Sequence, residues 1–410
     1  MPHFFSHNFL LLAGLCCLLP GPQNTGASDL NKKRESTQCQ NFAPTITNIS
    51  LFLLQKAIHW PEHTNLVFSP VSIIAAFAML SLGTKGNTHK QILNGMGFDL
   101  MKMPETKIHK CFQHLIHTFL QPNHQLHMTI GSSLFVHKNL KVESKFKKAA
   151  MELYNSETIP INFKDIQAAK TQINKHVMKG SYGHVLKVVG DLPIDTVLAL
   201  VNFISFDGVQ IGEFEAERLD KLEFQLDTGK VVTVPMVKRQ GKFYLLKDNT
   251  LSSWVLMQPY VGNIMAFFIL PDVGKMEELI QNLSHECLNS IHKRIKTRSS
   301  NLSFPKFTIS TTYDLKKVMN TLGITQIFSN RADFSKAIRD EHVKLSKAMH
   351  KAVLGVEDKQ WEELDFPDLH KNLLPDGPSV EFNRSFLVIL KDITFNLPFL
   401  MGKIKDPKTK

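Results

Sequence analysis

The sequence predicts an α+β fold in which helices pack around large mixed β-sheets. Helical periodicity dominates the first half of the chain, whereas short β-branched and aromatic runs bounded by turn residues dominate the second half. No linker, repeat or low-complexity tract divides the 410 residues, and 43% of them are apolar. The chain can therefore bury one large core, and a single domain is the simplest organisation.

The clearest helices are predicted in the first half. After a helix-start signal at Thr45, apolar residues follow 3-4-4 spacing at Ile46, Ile49, Leu53 and Ala57. The segment Ser72–Leu82 is apolar at nearly every position, which predicts a helix buried on all sides.

The clearest strands are predicted in the second half. Trp254–Tyr260 and Ile264–Leu270 are continuous apolar runs separated by the tight-turn sequence Val261-Gly262-Asn263. The pattern recurs at Val231–Val234, Leu302–Ile309 and Phe386–Leu390. Helices followed by strands are typical of the α+β class.

Residues 1–27 are predicted to be a secretory signal peptide. Phe9–Leu19 is an eleven-residue apolar run, too short to span a membrane, and Thr25-Gly26-Ala27 offers small residues for cleavage. The region lacks Lys and Arg, a modest departure from the usual pattern. Residues 28–44 are polar and lack periodicity, which predicts a disordered tail, so the folded domain should comprise residues 45–410. The protein is expected to be secreted and extracellular, without a membrane span.

Three of the five cysteines, Cys39, Cys111 and Cys287, remain after removal of the signal peptide. An odd number cannot all pair within one chain. The favoured interpretation is that Cys111 and Cys287 are buried thiols in helices, while Cys39 is exposed enough to form a mixed disulfide. A structural disulfide is the alternative.

The glycosylation sequons and the positive net charge are both consistent with an extracellular protein that meets polyanions. Sequons predict glycosylation at Asn48, Asn282 and Asn301, whereas the sequon at Asn383 lies in a strand pattern and is a poor candidate. The formal net charge is +11, and a secreted basic protein should bind polyanions such as glycosaminoglycans. A basic run places four cations within two turns of a predicted helix, at Lys293, Arg294, Lys296 and Arg298. The simpler interpretation of this run is a solvated helix face.

No pattern typical of an enzyme is present in the sequence. It contains no Gly-x-Ser-x-Gly motif, no His-Glu-x-x-His helix and no glycine-rich phosphate loop. Cys111, His114 and His117 could share one helix face near His109, but zinc sites usually draw ligands from two elements. We therefore predict a polar helix face, with no metal, no cofactor and no nucleic-acid partner.

The segment Gly355–Ser379 supports neither a helix nor a central strand. Its flanks, Leu345–Leu354 and Val380–Met401, are rich enough in apolar and β-branched residues to be well-packed strands. Structureless loops of roughly twenty residues inside a compact domain are uncommon and usually functional. This loop is the candidate functional element.

A series of motifs recurs in order along nearly all of residues 45–410. They are Asn65–Ile73, Ala76–Leu93, Asn162-Phe163 with Ile173-Asn174, Asp195–Gly208, Ser252–Asp272, Phe304–Ala332, Leu345–Leu354, Phe382-Asn383-Arg384 and Pro398–Pro407. By these motifs the chain resembles the serpin family, and within it the secreted alpha-1-antitrypsin group, and the resemblance is specific because it extends along the whole domain. Ser385 departs from the family pattern, which has proline at that position.

The resemblance implies a monomeric serine endopeptidase inhibitor with an exposed reactive-centre loop at about 355–379. In an inhibitory serpin the protease cuts this loop, and the amino-terminal arm then inserts as a new central strand of the main sheet. Ungapped alignment places the bait bond between Leu374 and Pro375. A chymotrypsin-like or elastase-like protease is the implied partner.

The residues of the arm depart from the family pattern. The family hinge reads Gly-Thr-Glu-Ala-Ala, whereas Gln360–Leu364 reads Gln-Trp-Glu-Glu-Leu. The arm, which we call the hinge, comprises Asp358, Lys359, Gln360, Trp361, Glu362, Glu363, Leu364, Asp365, Phe366 and Pro367. Its predicted inward positions are Trp361, Glu363, Asp365 and Pro367. Buried acids, an oversized ring and a proline each oppose a central strand, so suicide inhibition is predicted to be weak or lost.

The bait bond supports the same prediction. Proline after Leu374 disturbs the backbone geometry that most serine proteases need, although a one-residue shift would present Leu373-Leu374. Two interpretations of the loop stay open: drift after loss of inhibition, or a surface adapted to bind something specific. The family offers two further alternatives, a carrier of a small hydrophobic hormone and a glycosaminoglycan-binding or protein-binding factor that uses the basic run.

Overall fold

Helices dominate the amino-terminal half of the chain. The computed structural model describes residues 39, 42–58, 65–121, 126–208, 210, 214–339, 343–356 and 377–408. The helices of the first half are α1 (Phe42–Ala57), α2 (Pro70–Ser81), α3 (Gly86–Gly95), α4 (Glu105–Phe119), α5 (Ser144–Tyr154) and α6 (Ile166–Gly180). Shorter helices follow at α7 (Met276–Asn282), α8 (His285–Arg294) and α9 (Leu315–Thr321).

The strands belong to two mixed sheets. Along the chain they are β1 (Leu66–Phe68), β2 (Leu126–His137), β3 (Glu157–Ile161), β4 (Leu198–Gly208), β5 (Phe214–Gln225), β6 (Val231–Asp248), β7 (Ser253–Tyr260), β8 (Ile264–Pro271), β9 (Lys296–Pro305), β10 (Phe307–Asp314), β11 (Lys347–Val356), β12 (Ser379–Glu381), β13 (Phe386–Asp392) and β14 (Leu397–Ile404). One sheet has the order β1-β14-β13-β8-β7-β6-β9-β12, with β5 paired to β6. The other has the order β10-β11-β4-β2-β3. The predicted α+β class is confirmed.

Helix α2 is buried along its whole length, as its continuous apolar sequence predicts. Ser69 caps its amino terminus by accepting a hydrogen bond from the Ser72 backbone N–H at 3.2 Å, and Pro70 occupies the first helical position. Helix α1 begins at Phe42, three residues before the predicted start at Thr45. The Phe42 ring explains the earlier start, because it packs edge-on against Phe112 with centroids 4.8 Å apart.

The segment Leu302–Ile309 differs from its prediction as a single strand. It contains the end of β9 and the start of β10, which lie in different sheets. Lys306 alone separates the two strands, and its backbone N–H donates to the Pro235 carbonyl at 3.0 Å. Both halves have the same strand propensity, so the sequence pattern contains no signal for the crossing.

The prediction of a free thiol at Cys111 is wrong. Cys39 and Cys111 are each disulfide-bonded, whereas Cys287 is a half-buried free thiol. Cys111 does lie in a buried helix, but burial does not distinguish a thiol from a disulfide, and sequence alone does not encode pairing. Burial raises the pKa of the Cys287 thiol, which reduces its reactivity.

Gly131 of β2 provides a test of the packing in the five-stranded sheet. A Cβ at this position would lie 2.4 Å from a ring carbon of Phe203, its cross-strand partner. We expect Gly131→Ala to displace that ring and lower the free energy of unfolding by ~1–3 kcal/mol. Gly190→Ala is the control, because no atom lies within 4 Å of its added methyl group. Equal urea midpoints for the two variants, measured by circular dichroism, would contradict the packing described.

Candidate functional site

The parallel pair β4 and β11 lies at the centre of the five-stranded sheet. Its register runs from Ala199 opposite Lys347 to Asp207 opposite Gly355. Strand β11 ends at Val356, where the predicted loop begins. The chain therefore leaves the sheet at Val356, at the end of the strand that pairs with β4.

A buried polar network joins the two strands on the face that packs against α2. His350 of β11 and Asn202 of β4 are register partners, and His350 Nδ1 lies 2.6 Å from Asn202 Oδ1. Ser72 Oγ donates to the same oxygen at 2.9 Å, and the Ser69 backbone N–H donates to His350 Nε2 at 3.0 Å. We call Ser69, Ser72, Asn202 and His350 the polar lock.

The partners of His350 determine its tautomer. Nε2 accepts from a backbone N–H, so the ring proton is on Nδ1 and is donated to Asn202. The ring is fully buried and stacks on Tyr313 with an interplanar angle of 15°. Burial lowers the pKa of His350 to about 3, which keeps the imidazole neutral. The polar lock is thus an uncharged network, and protonation of His350 would disrupt it.

The opposite face of the strand pair is covered by α6 and the segment that follows it. Ala199, Val201 and Phe203 of β4 and Met349 of β11 share one buried apolar cluster with residues of α6. Asn174 of α6 holds the following segment by accepting from the Val188 and Val189 backbone N–H groups at 2.9 and 3.0 Å. Residues 198–206 of β4 are all buried, so a strand placed beside them would be buried on both faces.

The two ends of the loop are anchored in different sheets. At the carboxyl end, the Pro378 carbonyl accepts hydrogen bonds from Ser300 Oγ at 2.5 Å and from the Asn301 backbone N–H at 3.3 Å. Strand β12 then pairs in parallel with β9. The predicted bait bond, Leu374 and Pro375, and the hinge residues 358–367 lie outside the described residues, between these two anchors.

Comparison with known proteins identifies the family. The model of the family described as serpin, serine protease inhibitor, matches residues 44–407. The chain belongs to the serpin family. It is 42% identical to the alpha-1-antiproteinase of Bos taurus, over 98% of both chains. It is also 42% identical to the human alpha-1-antitrypsin-related protein, with full coverage of both chains.

Solved serpin structures confirm the predicted fold. A thyroxine-binding globulin in complex with thyroxine is 34% identical, with a TM-score of 0.81 and coverage of 90% of this chain and 99% of that one. Human glycosylated kallistatin is 34% identical, with a TM-score of 0.82 and coverage of 92% and 99%. The resemblance inferred from the motifs is therefore confirmed.

The basic run of this serpin is not the single helix face that its spacing predicts. Helix α8 ends at Arg294, and the buried Ile295 turns the chain into β9, which carries Lys296 and Arg298. Arg294 forms an ion pair with the buried carboxylate of Asp248. All four cations of the run are exposed, but the charge of Arg294 is engaged by Asp248, which leaves Lys293, Lys296 and Arg298 for an external polyanion.

The sequons of this serpin differ in accessibility. Asn48 is exposed on α1, and Asn282 is exposed as the last residue of α7. Asn301 is half-buried within β9, between β6 and β12. Asn383 is also half-buried, and its amide donates to Glu381 at 3.3 Å. Glycosylation stays a prediction, with Asn48 and Asn282 the better acceptors.

The histidines of α4 have separate partners. His109 Nε2 lies 3.1 Å from Glu105, and its other ring nitrogen contacts the Tyr154 hydroxyl. The His114 ring packs edge-on against Phe395 with centroids 5.2 Å apart. Within the ranges that the structure describes, no group of three or more His, Cys, Asp or Glu side chains could hold a metal ion, and no helix is long and apolar enough to cross a membrane.

Sequence analysis did not identify the polar lock. Its two serines lie in the matched motif Asn65–Ile73, but Asn202 and His350 are 148 residues apart and belong to different motifs. A signal was nevertheless present, because His350 interrupts the apolar alternation of β11 at a position that faces the core. A polar residue at such a position needs a buried partner.

Protonation of His350 should open the lock. The unfolded chain binds a proton at this residue near its ordinary pKa of 6.5, but the folded chain does not do so until about pH 3. Stability from this group is therefore complete above pH 6.5 and should fall by about 1.5–2 kcal/mol between pH 6.5 and 5.

Urea unfolding at several pH values tests the role of His350 against His350→Gln. The variant should be less stable at pH 7.5, because it weakens the lock, but its stability should depend less on pH between 6.5 and 5. Parallel pH profiles for the two proteins would show that His350 does not carry this dependence.

Proposed function

We propose that this protein is a secreted, glycosylated serpin of the alpha-1-antitrypsin group in which suicide inhibition of serine proteases is weak or lost. One observation carries the proposal. A strand inserted between β4 and β11 would lie between two buried layers, and the arm that would insert is rich in acids.

Insertion would require β4 and β11 to separate by the width of one strand, about 4.8 Å. Asn202 and His350 would then lie on either side of the new strand, and their 2.6 Å hydrogen bond would be lost. A loss of this kind costs about 0.5–1.5 kcal/mol when new partners are available. The sheet tolerates such a change only if the inserted residues fit.

Two acids of the arm do not fit the predicted inward positions. Alternate residues of an inserted strand face the same layer, so Glu363 and Asp365 would both face inward, whereas Glu362 stands where the family hinge also has glutamate. Removing each carboxylate from water costs several kcal/mol unless a partner compensates or the group takes up a proton. Lys351, half-buried on the face of β11 opposite His350, offers one counter-charge. The pKa of Lys351 is itself lowered, mainly by burial and to a smaller extent by repulsion from Lys187.

The bait bond adds an independent obstacle. Pro375 follows Leu374, and its ring and missing N–H disturb the extended geometry that serine proteases bind. A chymotrypsin-like or elastase-like protease could cut a neighbouring bond instead, such as the one between Leu373 and Leu374. Cleavage without insertion would make this serpin a substrate.

The remaining parts of the proposal concern location and assembly. The apolar run Phe9–Leu19, the sequons and the disulfide-bonded Cys39 and Cys111 support passage through an oxidising secretory compartment. We propose that the protein is a monomer without catalytic activity of its own.

A carrier function is the second candidate. It is favoured by the similarity to a thyroxine-binding globulin that was solved with thyroxine. Equilibrium titration of the purified protein with thyroxine and with steroids, followed by quenching of the fluorescence of its three tryptophans, Trp60, Trp254 and Trp361, tests it. Saturable binding would support a carrier, and its absence would remove this candidate.

The main proposal is tested by restoring the family hinge. The variant Q360G/W361T/E363A/L364A/D365A/P367A removes Glu363, Asp365, the indole ring and the proline, and it keeps Glu362, which matches the glutamate of the family hinge. Both proteins are nicked in the loop, and their melting temperatures are compared before and after cleavage. The wild-type protein should show little change, whereas the variant should gain at least about 10 °C, several times the shift that 1 kcal/mol produces in a large domain.

A panel of serine proteases provides the second measurement. The wild-type protein should yield only clipped product on denaturing electrophoresis, without a covalent complex. A covalent complex or a large rise in the melting temperature of the nicked wild-type protein would overturn the proposal. The uncleaved proteins should melt at similar temperatures, which controls for damage to the fold.

Binding to glycosaminoglycans is proposed for the exposed cations Lys293, Lys296 and Arg298. The triple variant K293A/K296A/R298A should elute from immobilised heparin at a lower salt concentration than the wild-type protein. The variant K138A/K147A/K175A removes the same charge from exposed sites elsewhere and is the control. An equal reduction in both variants would show that net charge, and not this site, governs retention.

A further inference from the structure

A groove of about 460 Å³ lies where α1, the end of α3 and the end of α9 meet. Its apolar lining residues, which we call the floor, are Ile49, Phe52, Leu100 and Leu322, and its polar lining residues are the neutral Thr45, Asn48, Asn94 and Thr321. The lining contains no charged side chain among the described residues. This composition suits a neutral ligand with both apolar and hydroxyl surfaces.

Two residues of the floor are unusually exposed for their type. Phe52 is 39% exposed, with Lys56 Nζ over its ring at 5.1 Å from the centroid, and Leu100 is 67% exposed. Large apolar side chains grouped on a surface indicate a missing partner more strongly than single ones do. An aromatic ring beside amide and hydroxyl groups favours stacking of a sugar ring over burial of a purely apolar molecule.

The attachment point for such a sugar is already in the lining. Asn48 is the acceptor of the sequon Asn48-Ile-Ser50, and Phe52 lies one helical turn further along the same face of α1. We propose that Asn48 carries an N-linked glycan whose first N-acetylglucosamine is seated in this groove against Phe52 and Leu100. The inference rests on the proposed passage through the secretory pathway.

The modification must precede folding of this helix. Ser50 is fully buried and donates its hydroxyl proton to the Ile46 carbonyl at 2.6 Å, so the folded sequon does not present it. In the transfer, Asn48 Nδ2 forms a bond to C1 of the sugar, and the bond from C1 to the diphosphate of a lipid-linked donor breaks. The amide loses one proton as the lipid diphosphate leaves. Folding of α1 then brings the sugar onto the groove.

Asn282 supplies an internal comparison. It is exposed at the end of α7 and is not part of the groove. Protein secreted from cultured mammalian cells is treated with a peptide N-glycosidase under native conditions, and release at each sequon is followed by mass spectrometry of its peptide. The glycan on Asn48 should be released about tenfold more slowly than that on Asn282, as expected when roughly 50 Å² of apolar surface covers it.

Two variants of the floor distinguish a glycan that packs in the groove from one that is attached to Asn48 but exposed to solvent. Phe52→Ala and Leu100→Ala leave both sequons intact, and each should raise the native release rate at Asn48 while leaving that at Asn282 unchanged. Both sites should be released equally after denaturation. Equal native rates at the two sites, or no effect of either variant, would overturn the seating.

The outcomes also distinguish this inference from the proposed function. An unmodified Asn48 beside a glycosylated Asn282 overturns the inference and leaves secretion intact. A chain that is retained in the cell without glycans overturns both.

Discussion

The hydrogen bond between His350 and Asn202 links the side chains of the two strands between which the loop of this serpin would insert. These strands are parallel neighbours at the centre of the sheet, and both side chains are also bound by the start of α2, through the backbone N–H of its N-cap Ser69 and the hydroxyl of Ser72. Because all four groups are uncharged and buried, the network is stable only while every partner is present. Strand β11 leaves the sheet six residues after His350, and α6 covers the opposite face of the strand pair.

The scaffold of this protein follows the serpin family, whereas the sequence of its hinge departs from the family pattern. Within this scaffold, Ser133 of β2 binds α6 through its hydroxyl, which lies 2.9 Å from Nε2 of His176. In the proposed function, the acidic hinge sequence does not match the space between β4 and β11. A departure elsewhere is accommodated: Ser385, at the family proline position, donates to Asp227, which also pairs with Lys403 at 2.8 Å. Burial raises the pKa of Asp227, but these partners outweigh burial, and the pKa is lowered overall.

Sequence patterns predicted the elements whose signals are local. The fully apolar Ser72–Leu82 is α2 with a shift of one or two residues, and the runs at Trp254 and Ile264 are β7 and β8. Features that depend on contacts between distant segments of the chain were not predicted. Strand propensity is the same on both sides of Lys306, charge spacing at Lys293 did not reveal that the helix ends one residue later, and cysteine positions did not reveal pairing. The polar lock needed contacts between segments that are far apart in the chain.

Lys306 has a mechanical consequence for the whole molecule. It is the single residue between β9 of one sheet and β10 of the other, and Pro305 stiffens the junction on its amino side. A shift of β10 and β11 away from β4 would pull on β9, which in turn holds β12 and the far anchor of the loop. The two attachment points of the loop are thus tethered to each other through one short joint, so widening one sheet places tension on the other.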